Sequence, residues 1–237
     1  MKPLCFVRSL LFYVGYLPLV VVFGTISFTI GALMPYRLRQ EVVTWANAII
    51  IRWFNFACGC RLEVTGLENI PDSPVVVLSK HQSSWETYYL QRLFRPVSTI
   101  LKRELLRVPF FGWGLAMMRP IAIDRDNPRE AMRQVLAIGK KRLAEGNRVV
   151  IFPEGTRIPP GQRGKYARSG AALAVAAGVP VVPIALNAGK FWPAKGFLKY
   201  PGTIKVIIGE PIRHPGGDSR ELMEQVENWI ESLQSTI

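Results

Sequence analysis

Histidine, cysteine and acidic residues are all scarce in this sequence. Its 237 residues include 2 histidines and 3 cysteines. The cysteines are Cys5, Cys58 and Cys60. Three cysteines are too few for a disulfide framework, and their spacing is not that of paired zinc ligands. We therefore expect reduced thiols in a cytosol-facing protein, and no metal. The sequence has 17 acidic and 30 basic residues, which gives a formal net charge of +13. That balance suits a polyanionic partner, either a nucleic acid or an anionic membrane surface.

Charge is missing altogether from a long stretch near the N-terminus. Residues 9–36 contain no charged side chain, and most of them are apolar. A membrane-spanning helix needs about 20 such residues, and the run is too long for the core of a secretory signal. We expect a membrane anchor, either one span kinked at Pro18 or a re-entrant hairpin. The membrane is then the expected polyanion, because no zinc-finger or aromatic-interleaved basic motif indicates nucleic acid.

A second apolar segment follows at residues 41–57. Its apolar side chains recur at helical spacing, which predicts an amphipathic helix. Two tryptophans beside a membrane segment are typical of the bilayer interface, whereas a core helix of the globular domain would show the same pattern. Both alternatives stay open. We place the membrane anchor at residues 1–58.

Strand-like and helical patterns alternate through residues 59–237. This alternation predicts a single α/β domain with a central mixed, largely parallel sheet covered by helices. The predicted strands are residues 61–65, 75–79, 97–101, 121–124, 149–152, 181–186 and 203–208. The predicted helices are residues 85–94, 128–144, 170–177 and 219–233.

His81 and Glu86 lie just after the second predicted strand. Five positions on one helix would separate two side chains by about 140°. The pair can meet if His81 lies in the loop at the end of the strand and Glu86 in the first helical turn. The carboxylate can then hold one ring nitrogen and leave the other as a general base. In the alternative, Ser83 and Glu86 form a capping box and His81 is an ordinary loop residue.

The sequence Phe-Pro-Glu-Gly-Thr-Arg, residues 152–157, follows another β-branched run. Arg157 offers a planar fork of donors suited to phosphate. In the alternative, the segment is a tight turn and Arg157 is solvated. Glu154 either lines a site or accepts backbone hydrogen bonds of that turn.

Together these stretches resemble the glycerophospholipid acyltransferase family, most closely its 1-acylglycerol-3-phosphate acyltransferases. The family's first motif is a histidine, four residues and an acid, met by His81 and Glu86; most members carry aspartate, so Glu86 is a departure. Residues 152–157 match the third motif without substitution. Residues 121–125 approximate the second motif, without its usual phenylalanine, and residues 179–184 match the fourth.

The resemblance implies transfer of an acyl group from a thioester to the free hydroxyl of a lysophospholipid, in phospholipid synthesis. It makes His81 the general base and Glu86 its orienting partner. The residues that it assigns to the acceptor phosphate are Arg157, Lys102 and Arg125, and those of the acceptor-site turn are Glu154, Gly155 and Thr156. No nucleophile elbow of the Gly-x-Ser-x-Gly type is present, in keeping with direct attack by the hydroxyl.

The expected partners are a membrane lipid and an acyl donor. The donor is acyl-CoA or acyl-carrier protein, with no further cofactor. Either donor places the α/β domain on the cytosolic side of the inner membrane, with the cations of residues 92–168 toward anionic headgroups. Another lysophospholipid or a lyso-ornithine lipid stays open as acceptor. A non-catalytic lipid-binding protein is the alternative from another class, but it would need neither His81 nor Glu86.

Overall fold

The structure, a computed structural model, describes residues 2–214 and 217–237. Its seven strands are β1 (Cys60–Thr65), β2 (Val76–Ser79), β3 (Val97–Lys102), β4 (Ile121–Ile123), β5 (Arg148–Ile151), β6 (Val181–Leu186) and β7 (Gly202–Ile208). They form one sheet in the order β1-β7-β6-β2-β5-β3-β4. Every neighbouring pair is parallel except β6 and β7. The predicted mixed, largely parallel sheet is confirmed.

Helices cover both faces of this sheet. They are α1 (Lys2–Thr29), α2 (Tyr36–Cys58), α3 (Trp85–Leu93), α4 (Phe111–Met117), α5 (Pro128–Ala144), α6 (Ser169–Ala177) and α7 (Ser219–Gln234). Buried residues of α1, α2 and α3 share one core cluster with the sheet, and those of α5, α6 and α7 share a second. All residues of β2 and β6 are buried, as expected where helices cover both sides of a parallel sheet.

The first two helices differ in extent from their predicted segments. The apolar residues 9–29 form one continuous helix through Pro18, so the hairpin alternative is not what the structure shows. Helix α2 begins at Tyr36, directly after Pro35, five residues before the predicted start. Gly15 lets the two helices approach closely, since a Cβ there would collide with the Trp53 ring. The Trp53 indole also donates a hydrogen bond to the Phe12 carbonyl, 2.9 Å away.

Helix α1 leaves a large apolar surface uncovered. The region Pro3–Leu33 is long and apolar enough to cross a membrane, and 17% of its most apolar window is buried. Val7, Val14 and Leu17 are 57–63% exposed. Such a surface is costly in water, and it indicates a membrane-associated protein.

Helix α2 combines the two alternatives proposed for residues 41–57. Phe54 and Ile50 are buried in the core, whereas Trp45 and Phe56 are exposed. One face therefore packs on the domain while the other remains available to a bilayer. Phe12 of α1 lies in the same buried cluster as Phe54, so both helices complete the core of the α/β domain. The division into residues 1–58 and 59–237 stays a prediction.

Candidate active site

The two motifs meet because their strands are neighbours. β2 and β5 are parallel and paired, with Val76 opposite Val149. The loops at their carboxyl ends therefore emerge side by side. The backbone N–H of His81 donates to Glu154 Oε2 at 2.8 Å, and the N–H of Ile158 donates to the His81 carbonyl at 2.8 Å. The loop after β2 and the Pro-Glu-Gly turn after β5 form one hydrogen-bonded unit.

Glu86 lies in the first turn of α3 with its side chain fully buried. One carboxylate oxygen, Oε1, accepts from His81 Nδ1 at 2.9 Å and from the N–H groups of Gln82 at 2.7 Å and Ser83 at 2.6 Å. An ionised carboxylate can only accept hydrogen bonds, so Nδ1 carries the proton in this arrangement. Nε2 is then the nitrogen left to act as a base. The capping contact to Ser83 and the orienting contact to His81 coexist on one oxygen.

Phe152 fixes the plane of the His81 ring. The two rings stack with their centroids 4.0 Å apart and an interplanar angle of 17°. The His81 side chain is 14% exposed. With Glu86 at one edge and Phe152 against one face, the imidazole has little freedom to rotate, and such preorganisation favours proton transfer.

Glu154 faces inward, where it meets Lys80. The Lys80 ammonium lies 2.7 Å from Glu154 Oε1, and both side chains are fully buried. Burial raises the pKa of Glu154, while Lys80 and the His81 N–H oppose that rise. The backbone N–H that Glu154 accepts belongs to the His81 loop rather than to its own turn, and Glu154 is not among the residues that line the cavity. Its role toward the acceptor stays a prediction. Lys80 was not predicted as a site residue, because a lysine at the end of a strand gives no local signal of its partners.

A cavity of about 820 Å³ opens beside His81. This volume lies within the range of about 300–1,000 Å³ usual for ligand pockets. Its walls are mostly apolar and come from α1, α3, α5 and the segment between β3 and α4. Representative lining residues are Leu17, Val20, Leu105, Val108, Phe111, Leu115, Met132 and Val135. The size and apolar lining suit a long hydrocarbon chain.

Three arginines line the same cavity. They are Arg125, Arg157 and Arg168, and the last was not predicted. An Arg125 nitrogen donates to the carbonyl of Gly155, so Arg125 is held against the turn. Gly155 also lines the cavity and has a φ of +68°, a conformation that favours glycine. The cavity therefore combines a mostly apolar lining with positively charged side chains.

Besides the buried Glu86 and Glu154, two predicted residues are not among those that line the cavity. Lys102 ends β3 with its side chain 44% exposed, and its nearest carboxylate, Glu104, is 3.8 Å away. Thr156 is exposed. Neither is among the residues that line the cavity. Their roles toward the acceptor stay predictions.

The N-terminal helix contributes directly to the cavity wall. Tyr16 of α1 and Tyr88 of α3 both line it, and their hydroxyl oxygens are 2.7 Å apart. Burial raises the pKa of Tyr88 well above its ordinary value and raises that of Tyr16. Both hydroxyls therefore stay protonated at neutral pH. No spacing in the sequence could have revealed this pair, since 72 residues separate its members.

Comparison with known proteins identifies the family of this chain. The model of the family described as Acyltransferase matches residues 61–187, more than half of the chain. The chain belongs to the acyltransferase family. This acyltransferase is 50% identical to the 1-acyl-sn-glycerol-3-phosphate acyltransferase of Pseudomonas aeruginosa over 98% of its own length and 91% of that protein. The family predicted from the motifs is thereby confirmed.

More distant relatives are similar to this acyltransferase over most of its length. The chloroplastic 1-acyl-sn-glycerol-3-phosphate acyltransferase BAT2 of Brassica napus is 34% identical over 78% of this chain and 53% of its own length. The crystal structure of the 1-acyl-sn-glycerophosphate (LPA) acyltransferase PlsC from Thermotoga maritima is similar with a TM-score of 0.78. It covers 97% of this chain and 95% of that one, at 23% identity. That likeness shows a shared fold.

Proposed function

We propose that this acyltransferase moves a fatty acyl group from an acyl thioester to the free hydroxyl of 1-acyl-sn-glycerol-3-phosphate, giving phosphatidic acid. The observation that carries this proposal is the His81–Glu86 pair at an apolar cavity that also contains three arginines. The names of the Pseudomonas aeruginosa and Brassica napus relatives state the same activity. A non-catalytic lipid-binding protein would need no buried carboxylate on its histidine.

The geometry supports direct transfer with His81 as the general base. Nε2 takes the hydroxyl proton as the oxygen attacks the thioester carbonyl carbon. The new C–O bond forms, the C–S bond breaks, and the imidazolium returns the proton to the departing thiolate. Glu86 stabilises the imidazolium that exists between these two transfers. The proton taken from the hydroxyl ends on the thiol, and no covalent acyl-enzyme is needed.

The cavity arginines supply charge for the acceptor phosphate. A phosphate monoester carries nearly two negative charges at neutral pH. Arg157 and Arg125 are the proposed partners. Arg168 lines the same cavity, and Lys102 is retained because the family resemblance assigns it to the phosphate. Guanidinium groups bind phosphate through paired hydrogen bonds. The acyl chains of the acceptor and donor would lie along the apolar lining.

The exposed faces of α1 and α2 would anchor the protein in one leaflet of the inner membrane. The support is that Leu17 of α1 is 57% exposed and also lines the cavity. A lipid acceptor could therefore pass from the leaflet to His81 along one helix. A donor carried by coenzyme A or carrier protein places the α/β domain on the cytosolic side, with its cations toward anionic headgroups.

Reconstitution of the purified full chain tests this function. The chain in detergent micelles is supplied with lysophosphatidic acid and either acyl-CoA or acyl-carrier protein, and phosphatidic acid is measured by mass spectrometry. Lysophosphatidylethanolamine and lyso-ornithine lipid serve as competing acceptors. We expect phosphatidic acid from lysophosphatidic acid with at least one donor, and its loss in His81→Ala. Acylation of a competing acceptor alone would replace the proposed substrate. Equal product from the wild type and His81→Ala would remove His81 from the mechanism.

A further inference from the structure

Lys80 is the centre of a buried charge network beside the catalytic histidine. Its side chain is completely inaccessible to solvent, and its ammonium group has three close oxygen neighbours, two of which are hydrogen-bond acceptors. The partners are Glu154 Oε1 at 2.7 Å, Glu231 Oε1 at 2.7 Å and the Gln162 carbonyl at 3.2 Å. Glu231 belongs to α7, 151 residues further along the chain. One side chain thus joins the end of β2, the Pro-Glu-Gly turn and the C-terminal helix.

Glu231 has a further partner on the side away from Lys80. The Tyr166 hydroxyl donates to Glu231 Oε1 at 2.7 Å. Burial and the neighbouring carboxylates raise the pKa of Tyr166, so this hydroxyl keeps the proton that it donates. Glu154 in turn accepts the backbone N–H of His81 through its other oxygen. Glu231 is therefore linked to His81 through Lys80 and Glu154.

A second contact from the same helix reaches the other side of His81. The Gln82 side-chain amide donates to Gln234 Oε1 at 2.8 Å. Gln82 Oε1 also accepts the Gly189 N–H at 3.2 Å, and both Gln82 and Gly189 are buried. Glu231 and Gln234 are three positions apart, hence on the same face of α7. The helix holds the residues immediately before and after the histidine.

Stability alone does not account for a buried lysine between two carboxylates. Replacing a buried ion pair by well-packed apolar residues is often neutral or stabilising, because desolvation offsets the attraction. A buried network of ion pairs and hydrogen bonds does fix one geometry of the groups that it joins. The geometry at stake here is that of the loop carrying His81. Lys80 itself is not among the residues lining the cavity, so it has no direct route to the substrate.

We propose that Lys80, Glu231 and Gln234 are positioning residues, through which α7 holds His81 against Glu86 for acyl transfer. The kinetic test of this role rests on the proposed function, because it measures acylation of lysophosphatidic acid. Helix α7 lies outside residues 61–187, the part that matches the family model. The catalytic loop of this chain would then depend on a helix beyond that matched region.

Glu231→Gln is the decisive variant, because glutamine keeps the volume and removes the charge. Its matched control is Glu227→Gln on the same helix, where Glu227 pairs with Arg163 at 2.6 Å in an exposed contact. Gln234→Met is a second, uncharged change that removes the other contact. The full-length proteins are compared by hydrogen exchange of the peptide spanning residues 80–86, without substrate, and by steady-state kinetics with lysophosphatidic acid.

In Glu231→Gln we expect amide exchange in residues 80–86 to accelerate about tenfold and kcat to fall about tenfold, as for the loss of one charge-assisted hydrogen bond. The KM for lysophosphatidic acid should stay within about twofold, because the cavity is unchanged. Gln234→Met should act in the same direction and Glu227→Gln should resemble the wild type.

Two results would overturn the positioning role. The first is that Glu231→Gln and Gln234→Met both show the same amide exchange rate and the same kcat as the control Glu227→Gln. The other is faster exchange throughout the chain, which would make α7 a general support of the fold. A wild type that does not acylate lysophosphatidic acid would instead refute the proposed function. The exchange measurement would still decide whether α7 holds the loop.

Discussion

Replacing Glu86 by glutamine removes one charge from the active site and almost no volume. Glu86 Oε1 accepts three hydrogen bonds, from His81 Nδ1 and from the N–H groups of Gln82 and Ser83. The glutamine oxygen can accept all three. Glu86 Oε2 is buried without a hydrogen-bond partner, and the glutamine amide would occupy its place. The substitution therefore keeps the contacts and tests the charge.

The three bonds affect different quantities. The two backbone bonds are the same in the ground state and the transition state, so their weakening lowers stability and leaves kcat unchanged. Only the His81 bond changes during the reaction, when the imidazole becomes an imidazolium. A hydrogen bond to a charged group contributes about 1.5–3 kcal/mol. The bond to a neutral glutamine contributes about 0.5–1.5 kcal/mol, so removing the charge alone costs about 1–1.5 kcal/mol. At about 1.4 kcal/mol per factor of ten, this difference predicts a fall in kcat of about 5- to 10-fold.

The assay is kcat with saturating lysophosphatidic acid and donor, alongside the thermal midpoint of each variant. Glu86→Asp keeps the charge and shortens the side chain, so it should retain more activity than Glu86→Gln. Glu224→Gln, which removes a charge from an exposed pair with Arg220, controls for the chemistry of the substitution. A kcat for Glu86→Gln within about twofold of the wild type would show that Glu86 serves only the turn.

Three further changes test the rest of the site and the anchor. Arg157→Ala should raise the KM of the phosphate acceptor by about tenfold or more, the worth of a charge-assisted hydrogen bond; a rise in the donor KM alone would assign Arg157 to the donor. Changing Val7, Leu10 and Val14 to glutamate places charge on the exposed face of α1 and should abolish sedimentation with anionic vesicles at high salt; sedimentation like that of the wild type would locate the anchor elsewhere. Burial lowers the pKa of Lys199 from 10.5 to about 8, so the folded protein loses this proton at a lower pH than the unfolded chain does. Wild-type stability relative to Lys199→Met should therefore rise between pH 8 and 10.5; thermal midpoints that move in parallel over this range would contradict it.

The strands and helices of the α/β domain could be predicted because their signals are local. Within residues 59–237, each predicted strand and helix is present to within one residue at either end. Helix α4 was missed. Its seven residues include Gly112 and Gly114, which have low helix propensity. A Cβ at Gly112 would lie 2.5 Å from the Leu106 carbonyl oxygen, so packing requires the glycine that lowers the propensity.

The site was predictable as far as strand topology determines it. His81, Glu86 and Glu154 converge because parallel neighbouring strands end at the same edge of a sheet. The contacts of Lys80 with Glu231 and of Tyr16 with Tyr88 join residues 151 and 72 positions apart. No periodicity or short motif encodes such pairs. They depend on how helices pack over the sheet, which the sequence pattern leaves undetermined.

Helix α1 connects the membrane to the chemistry in a way that limits how the anchor can be tested. One face exposes Val7 and Val14, while Phe12 is buried in the core and Tyr16 lines the cavity. Deleting residues 1–58 would remove the anchor, part of the core and part of the cavity wall together. Loss of activity in such a truncation would not distinguish these three causes. Val7, Leu10 and Val14 do not line the cavity, so substitutions confined to them change only membrane binding. If they abolish vesicle binding but preserve turnover in detergent, the anchor delivers the enzyme to its lipid and takes no part in the reaction at His81.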